Sequence, residues 1–183
     1  VKAEGTIYIR ADGSVDPPTA NITSVDNVTY TFTDNNYDEM VVERDSIVVD
    51  GAGYSVQGTG SGTGIDLTGR SNVTIKKTNI RNFLVGIWLW NSSNHNSIVG
   101  NNITSNNNQG IYLYLSSFNT ISGNNVTNNT DGILLGSSSN HNSISRNNKA
   151  AHGGDGILLF SSSNNCIYHN NFIDNGVQVY SVG

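Results

Sequence analysis

Asp131 and Asp155 lie 24 residues apart, each directly before a Gly-Ile-Leu-Leu core, and His152 stands three residues before the second. Paired carboxylates are what hydrolysis of a glycosidic bond requires, one as acid and one as base or nucleophile, with their separation selecting the stereochemistry. An imidazole beside them would add a group that titrates near neutrality. Asp-Gly is also an ordinary turn dipeptide, and the equivalent places in other repeats hold Val85 and Gln109. The turn reading therefore stands ahead of a catalytic or calcium role for Asp131, Asp155 and His152. For metals the material is thin: one Met, one Cys and four scattered His. His95 and His141 fall in one column of the repeat but two coils apart, about 9.6 Å by strand spacing, too far to share an ion. No metal site and no cofactor is expected.

These residues are positioned by a repeat. Gly64-Ile65-Asp66-Leu67 returns as Gly86-Ile87-Trp88-Leu89, Gly110-Ile111-Tyr112-Leu113, Gly132-Ile133-Leu134-Leu135 and Gly156-Ile157-Leu158-Leu159, with a degenerate Gly176-Val177-Gln178-Val179. Ile75, Ile98, Ile121, Ile144 and Ile167 are each 23 residues apart, and so are Ile80, Ile103, Val126, Lys149 and Phe172. A fixed period of this length marks a solenoid of stacked coils. Within each run apolar and polar residues alternate, the period of a strand, and the runs are short and separated by Asn, Ser and Gly. The pattern predicts an all-β fold, a right-handed parallel β-helix of about 23 residues per coil, each strand lying about 4.8 Å from its equivalent.

Asparagine marks the register. Asn79, Asn102, Asn125, Asn148 and Asn171 form one series at 23-residue spacing; Asn101, Asn124, Asn147 and Asn170 form a second; Asn96, Asn119, Asn142 and Asn165 form a third. Identical amides stacked at strand spacing can hydrogen-bond along the column, and Asn at bends tolerates left-handed backbone. These series are read as structural ladders. With Ile and Leu of each core turned into the bore, alternation turns outward Trp88, Tyr112, Leu134 and Leu158 in one column and Trp90, Tyr114 and Phe160 in the next. Stacked large apolar side chains exceed the patch a soluble monomer leaves bare. The expected cover is the N-terminal segment, a second subunit, or a glycan stacking on Trp and Tyr faces, with Trp88 and Trp90 as anchors.

Composition agrees with a narrow apolar bore. Of 183 residues, 36% are hydrophobic and 13% charged, with 20 Gly and 29 Asn. A net charge of −5, with nine Lys and Arg scattered, excludes a basic stripe for nucleic acid. No run of 18 apolar residues exists to span a membrane. The chain begins at Val1 without an initiator Met, as in a mature product that has lost a targeting segment. Cys166 stands alone, which excludes a disulfide framework; its column of Thr74, Ser97, Thr120 and Ser143 makes it a small ladder residue. Sequons at Asn21, Asn27, Asn91 and Asn128 are glycosylation candidates on a secreted surface, whereas those at Asn102 and Asn125 fall within a ladder.

Residues 1–45 do not carry the repeat cleanly and are expected to form an irregular N-terminal cap, with the β-helix proper over 46–183. Ser46-Ile47-Val48-Val49-Asp50-Gly51-Ala52-Gly53-Tyr54, Thr63-Gly64-Ile65-Asp66-Leu67, Asn72-Val73-Thr74-Ile75, Gly86-Ile87 and the following Asn-Asn-x-Ile coils resemble the NosD-like family of parallel β-helix repeat proteins. That grouping takes in periplasmic NosD proteins described as copper-binding, together with carbohydrate-binding and sugar-hydrolase β-helix domains, and is abundant in archaeal surface proteins. The resemblance covers about residues 40–180 and implies the fold; the shared residues are ladder and core positions. The copper role does not carry over, because no cluster of soft ligands is present. Related-fold enzymes that cut acidic polysaccharides use several Asp with a catalytic Arg, a pattern not visible here. The chain stops at Gly183, after the run Gly176–Val182, where relatives continue. An uncapped coil pairs head-to-tail, so the leading expectation is a secreted or cell-surface structural protein that self-associates end to end into filaments. The alternative is an extracellular carbohydrate-binding module that uses the aromatic face. A third is a glycan-processing enzyme.

Overall fold

In the computed structural model, which describes residues 5–183, the chain is a stack of coils with no helix among the described residues, and so none to cross a membrane. Each coil lays one strand in each of three sheets. The front sheet has nine strands in the order Val15–Asp16, Ile7–Ile9, Met40–Val42, Thr63–Asp66, Val85–Trp90, Gln109–Tyr114, Asp131–Gly136, Asp155–Phe160 and Val177–Val182. The second sheet has eight strands, running from Ile22–Thr23 to Cys166–Tyr168, and the third six, from Ser55–Gln57 to Asn171–Ile173.

Pairing is parallel and in register with the sequence period. Ile87 faces Ile111, which faces Ile133, which faces Ile157. In the second sheet Ile75, Ile98, Ile121, Ile144 and Ile167 align, and in the third Ile80, Ile103, Val126, Lys149 and Phe172. These three inward columns fill the bore, where Ile75, Ile87, Ile98, Ile111, Ile121 and Ile133 have no solvent exposure. Burying apolar surface at every period is the main favourable term for such a fold.

The repeat glycine is a packing requirement. A Cβ on Gly110 would sit 2.6 Å from Val126 Cγ1 and 2.8 Å from the carbonyl oxygen of Gly132 on the next coil. Only a residue without a side chain lets the coil close that tightly.

Residues 5–39 make the first, wider coil, and Met40–Val42 opens the second. Ile7–Ile9 pairs in parallel with Met40–Val42, and Thr29–Phe32 with Val48–Asp50, while Asn36 bridges to Val56. Two excursions fold back antiparallel: Val15–Asp16 on Ile7–Ile9, and Ile22–Thr23 on Thr29–Phe32. They form the outer edges of the front and second sheets, and each is two residues long. At the other end, strands Cys166–Tyr168, Asn171–Ile173 and Val177–Val182 are the edges of their sheets, and Val177, Val179, Tyr180 and Val182 are exposed.

Candidate ligand-binding face

The bends between sheets are held by ladders that set the spacing of everything outside them. The Oδ1 of Asn119 accepts the backbone N–H of Asn96 at 2.8 Å, and Asn142 and Asn165 repeat this to Asn119 and Asn142. The series Asn101, Asn124, Asn147 and Asn170 does the same at 2.9 to 3.0 Å, its Nδ2 groups donating to carbonyls of the preceding coil. Asn79 to Asn171 form a third kind of column, on the outside of the third sheet, linked amide to amide. Two further ladders escape a reading of the Asn series alone. The hydroxyls of Ser116, Ser139 and Ser162 accept the backbone N–H groups of Ser93, Ser116 and Ser139 at 3.2 Å, and that of Ser93 accepts the Gly69 N–H at 3.0 Å. Asn106, Asn129, His152 and Asn175 form the other, in which the signal of 23-residue spacing is present but one member is not an amide.

His152 is a ladder rung. Its Nδ1 accepts the Asn129 N–H at 3.2 Å, which places the proton on Nε2, 3.0 Å from the Val126 carbonyl oxygen it donates to. The ring is 2% exposed, and burial lowers its pKa below the usual imidazole value. With both nitrogens committed, it offers nothing to a substrate. Asp131 and Asp155 do lie on neighbouring strands, and Asp131 Oδ1 accepts the Asp155 N–H at 2.9 Å. Its other oxygen takes a long hydrogen bond from Gln109 Nε2 at 3.3 Å. Partial burial, and then the charge of Asp131, raise the Asp155 pKa above the usual carboxylate value. The pair is thus a bridge between coils with one carboxyl group, Asp155, left to solvent.

His95 and His141 are not neighbours. Phe118 lies between them, stacked on His95 at 5.3 Å and on His141 at 5.1 Å, ring centroid to centroid. All three sit at positive φ, beside the Asn ladder at the same bend. Phenylalanine seldom adopts that conformation; here the two imidazoles hold it. Cys166 is exposed and follows Ser143 in register. Asn27, Asn91 and Asn128 are exposed at positive φ, while Asn21 is partly buried with its Nδ2 bonded to the Asn35 carbonyl.

The outward residues of the front sheet form one connected surface. Trp90 stacks on Tyr114 with centroids 4.1 Å apart and planes 11° from parallel. Trp88 meets Tyr112 edge-on at 5.1 Å and Trp90 at 5.1 Å. Leu134 and Leu158 continue the ridge, and Phe160, 52% exposed, ends it. The rings shield one another, so all but Phe160 are half-buried, and burial raises the Tyr112 pKa. Residues 5–45 extend sheet edges and pair within sheets rather than folding over this ridge.

On its N-terminal side the ridge drops to small polar residues. Trp88 and Trp90 wall a shallow cleft of about 320 Å³, with Thr63, Asp66 and Thr68 as the other lining. Asp66 Oδ1 accepts the backbone N–H of Thr68 at 2.8 Å and its hydroxyl at 2.6 Å, which aims the carboxylate and leaves Oδ2 without a partner among the described residues. Nearby, a second concavity of about 460 Å³ lies between Tyr37, Asp38, Glu39, Gln57, Ser61 and Phe83. Burial pushes both carboxyl pKa values up, and for Glu39 the charges of Asp66 and Asp38 add to it.

For copper the donors do not fit. Met40 is fully buried in the bore, Cys166 is at the far end, His95 and His141 are stacked on Phe118, and His152 is hydrogen-bonded through both nitrogens. Among the described residues no three His, Cys, Asp or Glu groups cluster as ligands.

Two crystal structures of the periplasmic alginate epimerase AlgG share the architecture. A point mutant matches at a TM-score of 0.54 and 18% identity, over 85% of this chain and 44% of that one. A double mutant matches at 0.52 and 18%, over 80% and 41%. The chain thus spans less than half the length of these structures, and at such identity the likeness concerns the fold. No curated protein matches the sequence. Residues 6–183 match the family described as periplasmic copper-binding protein (NosD). The chain belongs to that NosD family of parallel β-helix proteins.

Proposed function

We propose that this chain is a β-helix domain working outside the cytoplasm, where its front sheet holds a polysaccharide against Trp88, Trp90, Tyr112 and Tyr114. The observation that carries this reading is the contact of four half-exposed rings across two neighbouring strands of a rigid sheet. Aromatic faces bury large area at small entropic cost and pair with the C–H faces of sugar rings, while the Tyr hydroxyls and indole N–H groups remain to meet sugar hydroxyls. The 4.1 Å stack of Trp90 on Tyr114 fixes the platform before a ligand arrives. The family description, and the periplasmic AlgG with which the fold is shared, support the location. A glycan array tests the function: binding that is lost in Trp88→Ala while the fold is retained supports it, and an array blank for the wild-type chain overturns it.

A second reading, association between copies, would use the exposed Val177, Val179, Tyr180 and Val182 of the front sheet. The opposite edges of the front and second sheets are two-residue antiparallel strands, and Pro17 and Pro18 follow the first of them. Short edges and Pro blunt a sheet against further pairing. Association closes as a pair where one patch meets its own copy and extends as a filament where it meets a different patch. Light scattering across a range of concentrations separates the cases: a plateau at two copies supports the closed pair, and growth without limit supports the filament.

A further inference from the structure

The nine strands of the front sheet carry four acidic residues, Asp16, Asp66, Asp131 and Asp155, and neither Lys nor Arg. Among the described cations at its margin, Arg10 is engaged by Asp16 and Glu43 and Arg70 by Asp45 at 3.6 Å, while Arg44 donates to the Ala11 carbonyl at 3.3 Å. Lys76, Arg81 and Lys149 belong to strands of the second and third sheets. A polyuronate laid on the ridge would therefore meet carboxylates and, among the described residues, no cation on the sheet itself, and repulsion would oppose it.

The geometry points to a polysaccharide bearing free amino groups as the ligand of this face, with an ammonium seated in the cleft between Trp88, Trp90 and Asp66. This rests on the glycan reading above and specifies its substrate class. Indole faces attract a cation lying over them. The Asp66 carboxylate, turned by Thr68 and with Oδ2 unpartnered, stands on the open side of the same cleft. Neighbouring Asp38 and Glu39 add negative potential with no ion-pair partner among the described residues; their raised pKa values follow from burial and, for Glu39, from that same accumulation of charge. A protonated amine brings the missing positive charge, and the sugar rings continue over Tyr112 and Tyr114.

The test is calorimetric titration of the full chain with oligomers of glucosamine, of N-acetylglucosamine and of a uronic acid, equal in length, at mildly acidic pH. Expected are tightest binding of the glucosamine oligomer, weakening as salt rises, and no binding of the uronate. Asp66→Asn should weaken glucosamine binding about fivefold, the size of an exposed ion pair, and leave the acetylated oligomer unchanged. Trp88→Ala should remove both. Equal binding of the two glucosamine series with no effect of Asp66→Asn, or preference for the uronate, overturns the inference and leaves the glycan reading standing. Failure of all three to bind overturns the inference and counts against the glycan reading, for which the array of other sugars is then decisive.

Discussion

Lys149 Nζ lies 4.7 Å from the ring centroid of Phe172, its neighbour one coil further along the third inward column. The column otherwise holds Ile80, Ile103 and Val126, and the amine has no hydrogen-bond partner and no solvent exposure. Burial lowers its pKa to about 7. The unfolded chain takes up this proton below about pH 10.4, whereas the folded chain does so only near 7. The unfolded state therefore binds more protons between these limits, and stability falls as pH drops from about 10 to about 7, then levels. Lys149→Met keeps the volume without the amine. It should raise stability at pH 7 by about 4 kcal/mol, the equivalent of about three pKa units, and flatten the profile between pH 7 and 10. Urea unfolding at the two pH values measures this; an unchanged slope would show that the amine is solvated.

Inner and outer amides should differ sharply. Asn124 Oδ1 accepts the buried Asn101 N–H at 2.9 Å, and its Nδ2 donates to the Ile98 carbonyl at 2.8 Å. Asn124→Ala strands these groups and should cost about 2–4 kcal/mol. Asn125→Ala, one residue along, breaks only an exposed amide chain and should cost less than about 1 kcal/mol. Denaturant midpoints of the two variants decide it, and equal losses would contradict the role given to the ladder.

His152 should be replaceable by the residue whose place it takes. His152→Asn is expected to fold within about 1 kcal/mol of the parent at pH 8, while His152→Ala, which strands the Asn129 N–H, should lose about 2 kcal/mol. Because burial lowers the folded pKa of the ring, the unfolded chain protonates first, and stability drops as pH falls through about 6.5 before levelling. His152→Asn should shift the midpoint of acid unfolding to lower pH. An unchanged midpoint would mean that another group governs it.

The coils were legible because the bore demands the same residue type every 23 positions, and a mismatch there leaves a void or a strained contact. The aromatic ridge followed from alternation alone. What the sequence hid has physical causes. His152 does the work of an Asn with different atoms, so a search for repeated amides passes over it. The serine ladder is lost among surface serines, which share its composition but not its burial. Lys149 keeps the period but breaks the polarity rule of its column. Residues 5–39 make a coil whose excursions at Val15–Asp16 and Ile22–Thr23 stretch the period, so the alternation of Ile7–Ile9 is visible but its partner on the next coil, Met40–Val42, is not. The cleft at Asp66 depends on the step from Thr68 to Trp90 across two coils, which only the register reveals.

The account turns on the front sheet as a binding surface, and the most direct measurement is the change in tryptophan fluorescence as glucosamine oligomers are added. Trp88 and Trp90 are the two tryptophans of this chain. A saturable change, shifted to higher concentration as salt rises and in Asp66→Asn, is the expected result. Emission that stays constant with every glycan offered, from a chain whose fold is intact, would contradict it.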